Sequence, residues 1–344
     1  MKDPASVDLN DKVVLVTGGT GSFGRQFART VMERYRVRKL IIFSRDEMKQ
    51  YEMQQDPILQ PHLARMRFFI GDVRDVDRLM MAFRGVDYVV HAAALKHIPV
   101  AEYNPFECIR TNVHGAENVV TAAIRSGVKR VVALSTDKAV NPINLYGASK
   151  LASDKIFVAA MHLVGAGNPL FGVVRYGNVL GSRGSVLPLF LSRLSNGTRT
   201  LPITDAGMTR FWITLHQGVA FVLSCMEMMH GGEVFVPKIP SMKVIDLAKT
   251  LAPTVGHEIV GIRHGEKMHE VMITEDEARM ARELADRYVI VPPIYGERYS
   301  YPGERPVSPE FRYASDTNTD WLTPDGMRSL IASAGIAIEP AQAK

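Results

Sequence analysis

The stretch Ser135-Thr136-Asp137-Lys138, followed by Tyr146-Gly147-Ala148-Ser149-Lys150, gathers an acid, bases and a phenol into a few turns of chain. Tyr146 and Lys150 stand four apart, so on a helix they share one face, a single turn from each other. A lysine ammonium held there stabilises a phenolate, and Tyr146 is expected to act as a base with its pKa lowered from the reference of about 10. Asp137 and Lys138 add an acid and a second base beside it. Oxidising an alcohol needs only the Tyr/Lys pair, so the extra Asp-Lys points to chemistry that moves more than one proton. An internal ion pair at a strand end is the structural alternative for Asp137-Lys138, and the neighbouring Tyr146 disfavours it.

Elements that could position these groups precede them. Residues 12–17, KVVLVT, form a short β-branched apolar run, the pattern of a buried parallel strand. The run enters Gly18-Gly19-Thr20-Gly21-Ser22-Phe23-Gly24 and then a helical pattern over 25–35. Glycines at 18, 21 and 24 suit a tight turn, close approach of a pyrophosphate, and helix–strand packing, with the anion on a helix N-terminus. Gly18, Thr20, Gly21, Ser22 and Phe23 are therefore candidate cofactor contacts; a plain β–α turn is the alternative.

A second strand over 39–43 ends in Ser44-Arg45-Asp46, with Lys49 a turn further on. An NAD enzyme usually places a carboxylate at this tip to hold the ribose 2′-hydroxyl. Ser44, Arg45 and Lys49 suit a 2′-phosphate instead, which favours NADP; Asp46 reads as either a helix cap or a ribose ligand. A third strand ends in Asp72-Val73, where Asp72 could meet an adenine amino group or cap a helix. A fourth, over 86–91, leads to Ala92-Ala93-Ala94, small enough for a nicotinamide ribose to pass closely. Lys96 and His97 follow at the carboxyl edge of the sheet, where ligands bind in open α/β folds, and Lys96 could touch cofactor or substrate. Asn112, in a helix starting near Pro105, is a cofactor candidate or a structural, helix-kinking asparagine. A fifth strand over 130–134 delivers the Ser-Thr-Asp-Lys group.

Strands alternating with helices at this spacing predict an α/β fold, a Rossmann-type doubly wound parallel sheet with a smaller mixed α/β C-terminal substrate domain. The expected division is 1–180 for the cofactor domain, with a further sheet strand at 171–176, then 181–291 for the substrate domain, partly interleaved with it. An extended tail over 292–344, rich in Pro, Ser and Asp from Tyr295, is expected to wrap the surface. Thr214 and Gln217 form a capping box opening a helix through Met229. Arg263, between Gly261 and Gly265, suits a diphosphate because a guanidinium fork pairs phosphate oxygens bidentately; a surface salt bridge is the alternative.

Composition narrows the classes. With 344 residues, 46% hydrophobic and 22% charged, the chain can bury a sizeable core. The net charge of +5 is spread through the sequence without Lys/Arg-rich runs or zinc-finger spacing, so an anionic small substrate is preferred to nucleic acid. Cys108 and Cys225 match no metal or redox spacing and read as buried thiols of a reducing compartment. No signal-peptide core precedes Lys12, and no apolar run approaches the ~18 residues of a membrane span, so a cytoplasmic protein is expected.

The glycine turn with Tyr146 and Lys150 resembles the extended short-chain dehydrogenase/reductase superfamily. Residues 44–47, 91–99, 135–139, 175–179 and 261–267 more closely resemble the soluble UDP-N-acetylglucosamine 4,6-dehydratases (inverting), which start pseudaminic acid synthesis for flagellin glycosylation. His264 departs from that pattern, which often has proline there. Relatives that also epimerise C5 in capsule synthesis often carry methionine where this chain has Tyr146. The resemblance implies NADP, a UDP-N-acetylhexosamine substrate and a homo-oligomer, hexamer or dimer. It also implies a cycle in which Tyr146 takes the C4 hydroxyl proton, Thr136 holds that oxygen, Lys138 (needing a depressed pKa) removes the C5 proton, and Asp137 protonates the departing C6 hydroxyl. Lys96, Thr136, Asn178, Arg183, Arg263 and Glu266 are the substrate candidates. A sugar-nucleotide 4-epimerase or a cofactor-binding regulator are the competing classes.

Overall fold

The structure, a computed structural model, describes residues 7–164, 167, 169–292, 294 and 299–337. Strands β1 (Val13–Thr17), β2 (Lys39–Ser44), β3 (Met66–Ile70), β4 (Tyr88–His91), β5 (Arg130–Thr136) and β6 (Leu170–Tyr176) pair in parallel, in the spatial order β3-β2-β1-β4-β5-β6. Strand Val234–Pro237 extends this set in parallel beside β6. Strands Arg287–Ile290, Ala281–Glu283 and Arg305–Pro306 then add antiparallel, completing a ten-stranded sheet. Helices cover both faces, which explains why β1 is buried at every position and reads as a continuous apolar run.

A second, smaller core gathers Leu187, Phe190, Ile203, Trp212 and Leu247 from the chain after β6. Met327 and Ile331, one helical turn apart on helix Pro324–Ser333, complete it. The C-terminal segment therefore departs from the extended tail that its composition suggests. Tyr313–Ala314 pairs with Val271–Ile273, and the Tyr313 hydroxyl donates to the Ile239 carbonyl at 3.0 Å. Its polar residues obscure a few well-spaced apolar anchors. Tyr295, from which that tail is rich in Pro, Ser and Asp, lies outside the described residues. Helix Leu215–Met228 opens with the Thr214/Gln217 capping box, and both cysteines are free and buried.

Candidate active site

Strands β1 to β6 point their carboxyl ends at one cavity of ≈ 640 Å³. The volume is of the size a cofactor or small substrate occupies. Its floor is the turn after β1. Gly18 has φ +63°, and a Cβ there would lie 2.8 Å from the Ala93 nitrogen, so only glycine lets the turn approach the end of β4. Thr17 Oγ1 accepts from the Ala92 and Ala93 amides and meets His91 Nδ1 at 2.8 Å, locking the two strand ends together. Helix α1 (Ser22–Arg34) then starts at Gly21, whose missing side chain leaves the first-turn N–H groups facing the cavity. This cradle suits a dinucleotide pyrophosphate.

At the tip of β2, Thr20 Oγ1 and Ser44 Oγ lie 2.7 Å apart. Asp46 is the N-cap of helix α2 (Glu47–Gln54), accepting from the Lys49 amide at 2.9 Å, and it also pairs with the Lys49 ammonium. Arg45 pairs with Asp72 at 3.4 Å, and Arg74 holds the same carboxylate at 2.6 Å. Asp72 is not a helix cap, since Asp75 caps the next helix. Ser44, Arg45, Lys49, Asp72, Val73, Ala92, Ala93 and Lys96 all line the cavity. Lys96 donates to the Arg183 carbonyl at 3.0 Å, and burial followed by Arg183 pushes its pKa down.

Asn112 is placed elsewhere. It is buried in a π-helical turn, Arg110–His114, and is not in the cavity wall. Its Oδ1 accepts from the Leu95 amide at 2.8 Å, and its Nδ2 donates to the Leu95 carbonyl at 2.9 Å and to Ser149 Oγ at 2.9 Å. With its amide thus occupied, Asn112 ties the loop after β4 to the Tyr146 helix rather than reaching a cofactor.

Asn144 caps helix Leu145–Ala159 by accepting from the Gly147 amide at 2.8 Å. Gly147 lets the segment carrying Lys138 lie directly on this helix, because a Cβ there would overlap the Lys138 carbonyl. Thr136, Lys138, Tyr146, Lys150, Asn178 and Arg183 consequently share the cavity wall. Asp137 does not line it. Its carboxylate is fully buried behind the wall, with Oδ1 accepting from Thr136 Oγ1 at 2.9 Å and from Lys138 Nζ at 3.1 Å.

The electrostatics differ from the sequence expectation at two groups. Burial, reinforced by Asp137 and Asp154, pushes Tyr146 up to about 12 despite the opposing Lys138 and its hydrogen bond with Thr136. Lys138, rather than Lys150, is the main cation that opposes this rise. Burial pushes Lys150 itself down, and Asp154, one further turn along the helix, is the carboxylate that opposes this. Lys138 moves the other way: burial would depress it, but Asp137 and Glu270 outweigh burial and hold the ammonium above its ordinary value. Asp137 is pushed up by burial and by Glu270, against the pull of Lys138.

Several participants were not candidates from the sequence. Glu270 is 1% exposed, and its Oε1 lies 3.0 Å from Lys138 Nζ. Arg210, from strand Thr209–Ile213, lies 3.8 Å from Glu270. Ser135 donates to Asp154 at 2.6 Å, and Arg175 joins Asp154 to Glu277. Ser135 and Arg175 stood in the motifs already noted, and Asp154 had a legible signal as the third member of a 146/150/154 helical stripe, whereas Glu270 and Arg210 had none.

Arg263 and Glu266 stay out of the cavity. Arg263 is 61% exposed and lies 4.0 Å from Glu266. Their loop instead docks on the site's scaffold: Asn144 Nδ2 donates to the Gly265 carbonyl at 2.8 Å, and Lys267 donates to the Val140 carbonyl at 2.5 Å.

A glycine turn opening a helix, under a Tyr/Lys pair on one helical face, defines a dinucleotide-binding α/β protein of the short-chain dehydrogenase/reductase type. Within that class, the chain belongs to the family described as Polysaccharide biosynthesis protein, whose model matches residues 14–292. It is 52% identical over 336 residues to the UDP-N-acetylglucosamine 4,6-dehydratase (inverting) of Campylobacter jejuni subsp. jejuni serotype O:2, covering 94% of this chain and 98% of that protein. It is 40% identical over 337 residues to a UDP-glucose 4-epimerase of Rickettsia conorii, covering 93% and 95%. Pen from Bacillus thuringiensis superposes with a TM-score of 0.88 at 35% identity, over 96% of this chain and 100% of that one. DesIV, a dTDP-glucose 4,6-dehydratase from Streptomyces venezuelae with NAD and TYD bound, gives 0.64 at 26% identity, over 74% and 86%. Among the described residues no helix is long and apolar enough to cross a membrane.

Proposed function

We propose that this protein is a UDP-N-acetylglucosamine 4,6-dehydratase that inverts C5, giving UDP-2-acetamido-2,6-dideoxy-β-L-arabino-hex-4-ulose. The observation that carries the reading is the Thr136-Asp137-Lys138 group, set against Tyr146 at the mouth of the dinucleotide cradle. The near-complete match to the Campylobacter enzyme of that name supports the sugar.

Gly18, Gly21 and the α1 N-terminus would hold the pyrophosphate of a nicotinamide dinucleotide, with Ala92 and Ala93 beside its ribose. Bound there, such a cofactor would supply the hydride acceptor for C4 and the hydride donor for C6. Arg45 and Lys49 at the tip of β2 support NADP, since Asp46, the carboxylate that follows the strand, already caps α2 and pairs with Lys49. Tyr146 takes the C4 hydroxyl proton, and Thr136 holds that oxygen. The new ketone acidifies the C5 proton. Lys138 removes that proton once it has itself passed a proton to Asp137, 3.1 Å away, and Asp137, behind the cavity wall, supplies the proton for the departing C6 hydroxyl through Thr136 Oγ1, 2.9 Å from it. A proton returns to C5 on the opposite face. Proton loss at C5 and proton delivery at C6 are thus assigned to two adjacent residues.

Two buried free thiols suit a reducing cytoplasm. Tyr103 and Phe106, 88% and 78% exposed on neighbouring helices, support a homo-oligomer, and light scattering of the purified protein tests it. We assign the product to pseudaminic acid synthesis for flagellin or surface glycosylation. The R. conorii relative favours 4-epimerisation as the second reading, one that has no use for Asp137-Lys138. Mass spectrometry after incubation with UDP-N-acetylglucosamine separates the two: dehydration removes one water, whereas epimerisation leaves the mass unchanged and would overturn the proposal.

A further inference from the structure

We propose that Glu270 is the positioning carboxylate of the elimination step, holding Lys138 within proton-transfer distance of Asp137 and supplying the charge that keeps one proton shared between them. This rests on the dehydratase reading of Asp137 and Lys138.

The geometry is that of a bridged cluster. Lys138 Nζ lies 3.0 Å from Glu270 Oε1 and 3.1 Å from Asp137 Oδ1, and both carboxylates are essentially removed from solvent. Each keeps one oxygen, Asp137 Oδ2 and Glu270 Oε2, buried without a partner. The cluster therefore has vacant acceptor positions where a proton can sit. Glu270 is fixed through its backbone, whose amide donates to Ser315 Oγ at 2.9 Å, and Ser315 Oγ lies 2.7 Å from Thr209 Oγ1. The charged groups facing Glu270 are Lys138 and Asp137 from the end of β5, Arg210 from strand Thr209–Ile213, and Lys267 from the preceding loop. Arg210 is locked by donating to the Thr209, Met268 and Lys267 carbonyls at 2.7, 3.1 and 2.9 Å, so it provides a permanent counter-charge for Glu270. With Glu270 balanced in this way, one mobile proton is left to divide between Lys138 and Asp137.

The step balances. The Lys138 N–H bond breaks as an O–H bond forms on Asp137, giving a neutral amine beside a neutral acid. The amine takes the C5 proton, and the C5–H electron pair becomes the C5–C6 double bond as the C6–O bond breaks. The departing oxygen leaves as water, taking the Thr136 hydroxyl proton as that hydroxyl takes the Asp137 proton across 2.9 Å. The ammonium–carboxylate pair present in the structure is restored. Removing the Glu270 charge deprives Lys138 of one anionic partner and relieves Asp137 of one repulsion, so both groups titrate at lower pH.

The test compares wild type, E270Q and E270D as NADP-loaded enzymes with UDP-N-acetylglucosamine across a pH series. It follows water loss by mass spectrometry, C5 deuterium uptake in heavy water, and the transient of reduced cofactor from the first hydride transfer. For E270Q the dehydration optimum is expected to move acid by about one unit, with about a tenfold loss at the wild-type optimum and the cofactor transient retained. E270D, which keeps the charge, should hold the wild-type optimum at a reduced rate. It serves as the deciding variant if E270Q does not fold. Superimposable pH profiles for wild type and E270Q would overturn the role of Glu270, as would an E270D profile displaced from the wild-type optimum. Loss of the cofactor transient in step with dehydration would mean a merely structural role. A wild-type enzyme that releases no water would remove the dehydratase reading and this inference with it.

Discussion

Lys138→Ala strikes the group on which the elimination depends. The side chain sits between two buried carboxylates at 3.1 and 3.0 Å, so the substitution leaves both without their shared cation. Removing one member of a buried ion pair costs about 3–5 kcal/mol when nothing compensates. Here Arg210 remains 3.8 Å from Glu270 and one carboxyl can take up a proton, so about 1–3 kcal/mol is expected at neutral pH. The sign of the pH dependence follows. A carboxyl whose folded pKa is raised binds more protons in the native state, so the deficit shrinks as pH falls and grows as pH rises through the folded value. Losing the base is expected to slow C5 proton removal by about 10²–10⁴-fold, with cofactor binding retained. Deuterium uptake at C5, followed by NMR in heavy water, reads the step directly, alongside thermal unfolding at two pH values and a cofactor titration. Exchange at C5 at the wild-type rate in a folded variant would refute Lys138 as the base.

Tyr146→Phe is expected to abolish the first hydride transfer, seen as loss of the reduced-cofactor absorbance on mixing with substrate, while leaving the fold unchanged. Asp137→Asn should gain stability relative to wild type as pH rises above the unfolded carboxyl value of about 3.9, because burial and Glu270 raise Asp137 and the stability it lends is lost with rising pH; denaturant melts across pH measure this. Asn112→Ala leaves the Leu95 amide and carbonyl without their side-chain partner and is expected to cost about 2 kcal/mol, read by chemical unfolding. Replacing Arg45 and Lys49 by alanine should weaken NADP about tenfold or more while sparing NAD, measured by fluorescence titration.

Those signals that depend on near neighbours along the chain were legible in the residues themselves. The β-branched run of β1, the glycine turn, the Asp46 cap of α2, the Thr214/Gln217 box and the shared face of Tyr146 and Lys150 all follow from short-range periodicity and backbone stereochemistry. Protonation did not follow from sequence. A lysine four residues from a tyrosine suggests a lowered phenol, but burial and the carboxylates of Asp137 and Asp154 raise it. Lys138 needed a depressed pKa and instead is held charged, because Asp137 and, arriving from more than a hundred residues away, Glu270 together outweigh burial. Arg263 sat between glycines suited to a phosphate, yet its loop docks on Asn144 and leaves the guanidinium in solvent. Folding alone sets desolvation and through-space distance, and these decide which of the chain's acids and bases hold their protons.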